Sequence, residues 1–134
     1  MNEPLPSNLN PSRGLHLRRI VVHGLFDSLC YDISSNPASR LLLLYGDNGS
    51  GKTTILRLLF HLLAADDSRG HKSFVAHIPF TSVTIELENG TTIQALRSPK
   101  TSRTGFRMEV SQPGREIETV RFRSNNEGDI MRAL

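Results

Sequence analysis

The chain has 134 residues, 37% of them hydrophobic, with a formal net charge of +3 and a single cysteine, Cys30. It is long enough for one domain with a real core, it carries no apolar run near the ~20 residues that span a bilayer, and one cysteine excludes an internal disulfide framework. The mildly basic balance is compatible with phosphates or nucleic acid and demands neither.

The N-terminus lacks the basic-then-apolar order of a signal peptide, and the lone thiol fits a reducing compartment, so a cytoplasmic protein with no membrane partner is expected. Residues Met1 to Gly14 are rich in Pro, Asn and Ser and read as a flexible leader before a domain over 15–134. Leu15 to His23, centred on Ile20, Val21 and Val22, and Ser28 to Ile33 read as two strands, with Gly24 and Asp27 in a tight connection. Asn36-Pro37-Ala38-Ser39 is a turn. It leads into Arg40-Leu41-Leu42-Leu43-Leu44-Tyr45, a short continuous apolar run that suits a strand buried on both faces.

Next comes Gly46-Asp47-Asn48-Gly49-Ser50-Gly51-Lys52-Thr53, a G-x-x-x-x-G-K-T pattern. A triphosphate needs many donors on one small concave surface. Backbone N–H groups supply them when the chain curls around the phosphates, and glycines permit the curl. Lys52 reaches the β- and γ-phosphates as a mobile charge, and the Thr53 hydroxyl is placed to ligate Mg²⁺. Residues 53–65 read as a helix that is apolar nearly all round, with Arg57 and His61 as its wet stripe. The expected nucleotide-binding set is therefore Gly46, Asp47, Asn48, Gly49, Ser50, Gly51, Lys52, Thr53 and Thr54, with ATP and Mg²⁺ as ligands.

The polar stretch Asp66 to Ser73 reads as a loop. Leu62-Leu63-Ala64-Ala65-Asp66-Asp67 imitates the apolar strand ending in an acid that holds Mg²⁺. These residues end the helix, roughly 20 Å from the phosphates at ~1.5 Å rise per residue, so the match is rejected. Thr81 to Leu87 alternates as a half-buried strand, and Asn89-Gly90 signals a hairpin. A two-residue turn would set Ile85 opposite Gln94. A three-residue loop, Glu88-Asn89-Gly90, sets Ile85 opposite Ile93 and Val83 opposite Ala95. The second keeps apolar residues on one face and is expected, with Gly90 left-handed in a bulge. Phe106 to Val110 and Ile117 to Phe122 form another hairpin around Pro113-Gly114. Ile117 falls on the opposite face from Val120 and Phe122, which a bulge near Glu118-Thr119 would repair.

The five histidines show no metal-ligand spacing with Cys30. Arg97, Lys100, Arg103, Arg107, Arg115, Arg121 and Arg123 outnumber the acids of the second hairpin region. They form either a solvated edge that protects an open sheet or a phosphate-backbone surface for DNA, with Arg103, Arg121 and Arg123 as candidate contacts.

The stretch GDNGSGKTTILRLL, Gly46 to Leu59, resembles the ABC-type ATPases, most of all the RecF and SMC group and related AAA-family ATPases. Those proteins begin with a strand-turn-strand unit like Leu17 to Ile33, and the later hairpins match the antiparallel β-subdomain of such heads in kind. The resemblance implies the fold class: mixed α/β, a P-loop NTPase N-terminal lobe of strand, P-loop and helix plus antiparallel hairpins. It also implies two heads that close face to face on ATP, a homodimer or a chain carrying the C-terminal lobe as partner, and action on DNA or a client protein in repair, chromosome or anti-phage roles. Where many relatives carry Asn-Phe-Arg, this chain has Gly24-Leu25-Phe26; Phe26 reads as a core side chain, with stacking on adenine as the alternative. The Walker B acid and the signature motif of that group are not found after the helix. The chain alone is thus expected to bind ATP and hydrolyse it negligibly, and to be an ATPase once completed. A non-catalytic nucleotide-binding module, an ABC transporter-type fragment and a small-molecule kinase are the other readings.

Overall fold

The computed structural model describes residues 16–35, 51–64, 71–97, 105–124 and 130–133. The leader, the 36–39 turn, the apolar run Arg40 to Tyr45, Gly46 to Ser50, Asp66 and Asp67, and the loop with Lys100 and Arg103 lie outside them.

Alternating apolar and polar residues build one antiparallel sheet. Its strands are β1 (Leu17–Leu25), β2 (Leu29–Ser34), β3 (Ser82–Leu87), β4 (Thr92–Leu96), β5 (Phe106–Ser111), β6 (Glu118–Ser124) and β7 (Ile130–Ala133), in spatial order β2-β1-β3-β4-β5-β6-β7. Directly opposed residues share a face, so the register sorts the side chains. Ile33, Ile20, Ile85, Ile93 and Val110 form one row across β2, β1, β3, β4 and β5. Tyr31, Val22, Val83, Ala95, Met108 and Val120 form the next row, on the same face. These rows meet the helices in a single core in which Ile20, Val22, Val83, Ile85 and Ala95 are fully buried. Each large aliphatic side chain so buried stabilises the fold by about 1.5–3 kcal/mol.

The β3–β4 hairpin has the expected register, Ile85 opposite Ile93 and Val83 opposite Ala95. Its loop is Glu88-Asn89-Gly90, closed by the Leu87 amide on the Thr91 carbonyl at 2.9 Å, with Gly90 at φ 87. The Asn89 Oδ1 accepts from the Thr91 amide at 2.9 Å, the local bond that makes Asn a turn residue. In β5–β6 the expected bulge does not occur. Pairing is regular from Phe106–Phe122 to Val110–Glu118, and Ile117 lies before the strand, exposed in the connection, so it has no face to repair. Phe106 and Phe122 stack with centroids 4.9 Å apart.

Helix α1 spans Lys52–Leu63 and buries Ile55, Leu58, Leu59 and Leu62. Its expected wet stripe is only half right. Arg57 is exposed, but His61 is covered by a second helix, α2 (His71–His77), against which it stacks on Phe74 at 4.2 Å. Leu56, Phe60 and Leu63 take the exposed side instead. Neither α2 nor β7 was expected. The buried Lys72 of α2 donates to the His61 and Ala64 carbonyls at 3.1 and 3.2 Å, satisfying the C-terminus of α1.

Candidate nucleotide-binding site

The described part of the glycine-rich motif opens α1. Gly51 is the N-cap at φ 86, ψ 6, a left-handed conformation that favours glycine. The space is closed too: a Cβ on Gly51 would lie 3.0 Å from Leu25 Cδ2 and 3.8 Å from Leu29 Cδ1. The first helical bond runs from the Ile55 amide to the Gly51 carbonyl at 2.9 Å. The helix start has no side-chain cap and no acid in its first turn. The first N–H groups of any α-helix have no intrahelical acceptor, and the helix dipole places partial positive charge there. Half-buried Lys52, exposed Thr53 and half-buried Thr54 follow at once. Amides, an ammonium and two hydroxyls, with no carboxylate in the first turn of the helix, fit a polyphosphate with its Mg²⁺.

The β1–β2 turn supports this end of the helix. The Phe26 amide donates to the Pro79 carbonyl at 2.9 Å, and Asp27 and Ser28 donate back to Gly24 and Leu25 at 3.1 and 3.2 Å. Phe26 and Asp27 sit at φ 51 and 66. The core reading of Phe26 is corrected here. Strand β1 runs through Gly24 to Leu25, which takes the inward position at 0% exposure, and left-handed Phe26 turns outward at 44%. Its Cε2 lies 3.9 Å from where a Gly51 Cβ would be. The aliphatic floor under Gly51, Leu25 and Leu29, had no signal in the motif itself.

The basic residues divide. Arg97 is turned inward: its Nη2 donates to the Val75, Ala76 and Ile78 carbonyls at 3.0, 2.6 and 2.8 Å, and its guanidinium lies 4.4 Å over the Phe80 ring. Burial lowers its pKa from the ordinary arginine value. It ties the end of α2 to β4 and leaves the candidate DNA surface. Arg115 is exposed in the β5–β6 connection, donating to Gln112 Oε1 at 3.2 Å. Arg107, Arg121 and Arg123 remain together on the polar face of the sheet, all exposed, with Arg107 directly opposite Arg121. Arg107 Nε lies 3.1 Å from Glu109.

The other end of that face is balanced. Arg19 contacts Asp32 at 2.6 Å and Glu86 at 3.8 Å. The hydrogen bond from Arg19 pulls the Asp32 pKa below its ordinary value. Among the described residues no group of three or more His, Cys, Asp or Glu could hold a metal, and no helix is long and apolar enough to cross a membrane.

An antiparallel sheet packed on a helix that begins at the G-K-T end of a phosphate-loop motif defines a mixed α/β lobe of the nucleotide-binding kind. A family model described as an AAA domain matches residues 26–132, and the chain belongs to that family. It is thus an AAA-type ATPase region with a nucleotide-binding function. No curated protein matches the sequence.

Proposed function

We propose that residues 15–134 are the N-terminal lobe of a RecF/SMC-like ATPase head, cytoplasmic, binding Mg·ATP through Gly46, Asp47, Asn48, Gly49, Ser50, Gly51, Lys52, Thr53 and Thr54. The observation that carries this reading is the opening of α1: a left-handed Gly51, uncapped and without an acid, followed directly by Lys52 and Thr53. Backbone amides hold the phosphates, Lys52 neutralises their charge, and the Thr53 hydroxyl gives the metal its protein ligand. Magnesium bound there would draw charge from the β- and γ-oxygens. Hydrolysis also needs an acid for the metal and a group that positions water. No matching motif is read in 65–134, so those groups come from a partner lobe or a second head. The exposed apolar stripe Leu56, Phe60 and Leu63 on α1 supports such a partner, since it leaves three large side chains of one helix in water. Titration of a fluorescent ATP analogue against wild type and Lys52→Ala tests the assignment; equal affinities would sink it.

A second reading, DNA binding, is favoured by one observation. Arg107 and Arg121 oppose each other across β5–β6, an arrangement that repels in the free protein and attracts a phosphate backbone. Arg123 lies on the same face, two residues along β6 from Arg121, and Arg103 is a further candidate contact from the sequence. Non-specific binding that falls steeply with salt is its signature.

A further inference from the structure

We propose that His61 and His71 form a two-histidine site for a divalent transition-metal ion, of the nickel or copper kind, that staples the end of α1 to the start of α2.

The two ligands come from two helix ends. His61 lies in the last turn of α1, and His71 is the first residue of α2. Their Nδ1 atoms stand 2.8 Å apart, with ring centroids at 5.0 Å. Two unprotonated nitrogens at that distance would set lone pair against lone pair. The contact therefore calls for a proton on one ring or a cation held by both. Imidazole nitrogens bind such cations at about 2.0–2.1 Å, so adjacent corners of a square-planar or octahedral sphere are about 2.8–3.0 Å apart. Two corners of a tetrahedron would be about 3.3–3.4 Å apart. The observed separation thus favours nickel or copper over zinc.

The rings are held from two sides. Phe74 stacks on His61 at 4.2 Å, and Phe60 meets His61 and His71 edge-on at 5.2 and 5.5 Å. Lys72 ties α2 to the end of α1 through the His61 and Ala64 carbonyls. Both histidines are half-buried, so their faces are packed while solvent still reaches them.

The electrostatics favour the form of the ring that a metal needs. Burial first, then His71, Lys72 and Arg57, lowers the His61 pKa and keeps that imidazole neutral near neutral pH. Neutral imidazole is the ligand. When both rings are neutral, the hydrogen one Nδ1 carries in the metal-free pair moves to Nε2 as both Nδ1 atoms bind, with no net proton released. Lys72 and Arg57 also repel a dication, and water fills the remaining corners, so binding is moderate and weakens as acid protonates the rings.

Calorimetric titration of Ni²⁺ and Zn²⁺ into the tag-free chain tests this, in a Cys30→Ser background that removes the exposed thiol. One Ni²⁺ should bind per chain, more tightly than Zn²⁺, and X-ray absorption should count two imidazoles on it. His61→Phe and His71→Ala should each weaken Ni²⁺ by at least about tenfold, and His23→Ala and His77→Ala should not. Circular dichroism checks the fold of every variant. Should His61→Phe fail to fold, His71→Ala decides. No Ni²⁺ binding by the folded chain would overturn the proposal and leave the contact a proton-sharing pair. So would an affinity that survives both ligand variants or falls equally in His77→Ala, the mark of an adventitious ion only.

Discussion

Gly24 lies directly against Thr81: a Cβ on the glycine would overlap the threonine Oγ1, and the Thr81 amide donates to the His23 carbonyl at 2.9 Å. This contact joins the end of β1 to the segment that follows α2. It thereby sets the height of the turn that carries Leu25 under Gly51 and Phe26 beside it. Gly24→Ala should lower stability by about 1–3 kcal/mol, from the overlap together with φ strain. Urea unfolding checks it, and a change under 0.5 kcal/mol, as at an ordinary surface site, would show that the contact yields freely.

Arg97 is an anchor. Removing its guanidinium strands three carbonyls at the end of α2 and exposes the Phe80 ring. Arg97→Met should cost about 2–3 kcal/mol of stability. DNA affinity measured well below the unfolding transition should not change. An Arg97→Met variant of native stability that had lost DNA binding would return this residue to the surface.

Reversing Arg107, Arg121 and Arg123 to Glu should weaken DNA of every sequence alike and flatten the dependence of log K on log salt. Each neutralised phosphate contributes roughly 0.9 to that slope. Fluorescence anisotropy at several salt concentrations reads both quantities. Binding indifferent to salt and to these changes would assign the arginines to a solvated sheet face.

Acid should loosen the packing of α1 on α2. Burial, then the nearby His71, Lys72 and Arg57, lowers the His61 pKa below its ordinary 6.5. The unfolded chain therefore binds a proton at His61 more readily than the folded one. The stability this neutral histidine contributes is complete above pH 6.5 and falls as pH drops toward the lower folded value. His61→Phe, which keeps a ring on Phe74, should flatten the profile between pH 7.5 and 5.5. An unchanged slope in that variant would move the effect to another group.

Binding and catalysis should separate. The purified chain should show a measurable ATP dissociation constant, with phosphate release at background in both wild type and Lys52→Ala. Robust turnover that Lys52→Ala abolishes would mean that the catalytic acid lies within this chain and that it is no partial head.

What the sequence determined by itself was local. Strand parity and the Asn89-Gly90 turn were enough for the β3–β4 register, because a one-residue slip would carry Val83 and Ile85 to the polar face. In β5–β6 it is the structure that sets Met108 opposite Val120, and Ile117, read as part of the strand, lies in the connection before it. The G-K-T end of the motif likewise announced the start of α1, since glycine, lysine and threonine each answer one feature of a polyphosphate. Tertiary structure decided the rest. Seven residues from His71 to His77 cannot hold a helix alone, because nucleation costs more than so few bonds return; α2 exists because Val75 and Ala76 enter the core and Arg97 takes up its last carbonyls. Arg97 and Arg121 look alike in a basic stretch. One leaves β4 beneath α2 and finds backbone acceptors, while the other stands mid-strand on the face the helices do not cover. Phe26 follows the same logic: an apolar residue in a turn is core or surface according to which neighbour takes the single inward position, and here Leu25 has it.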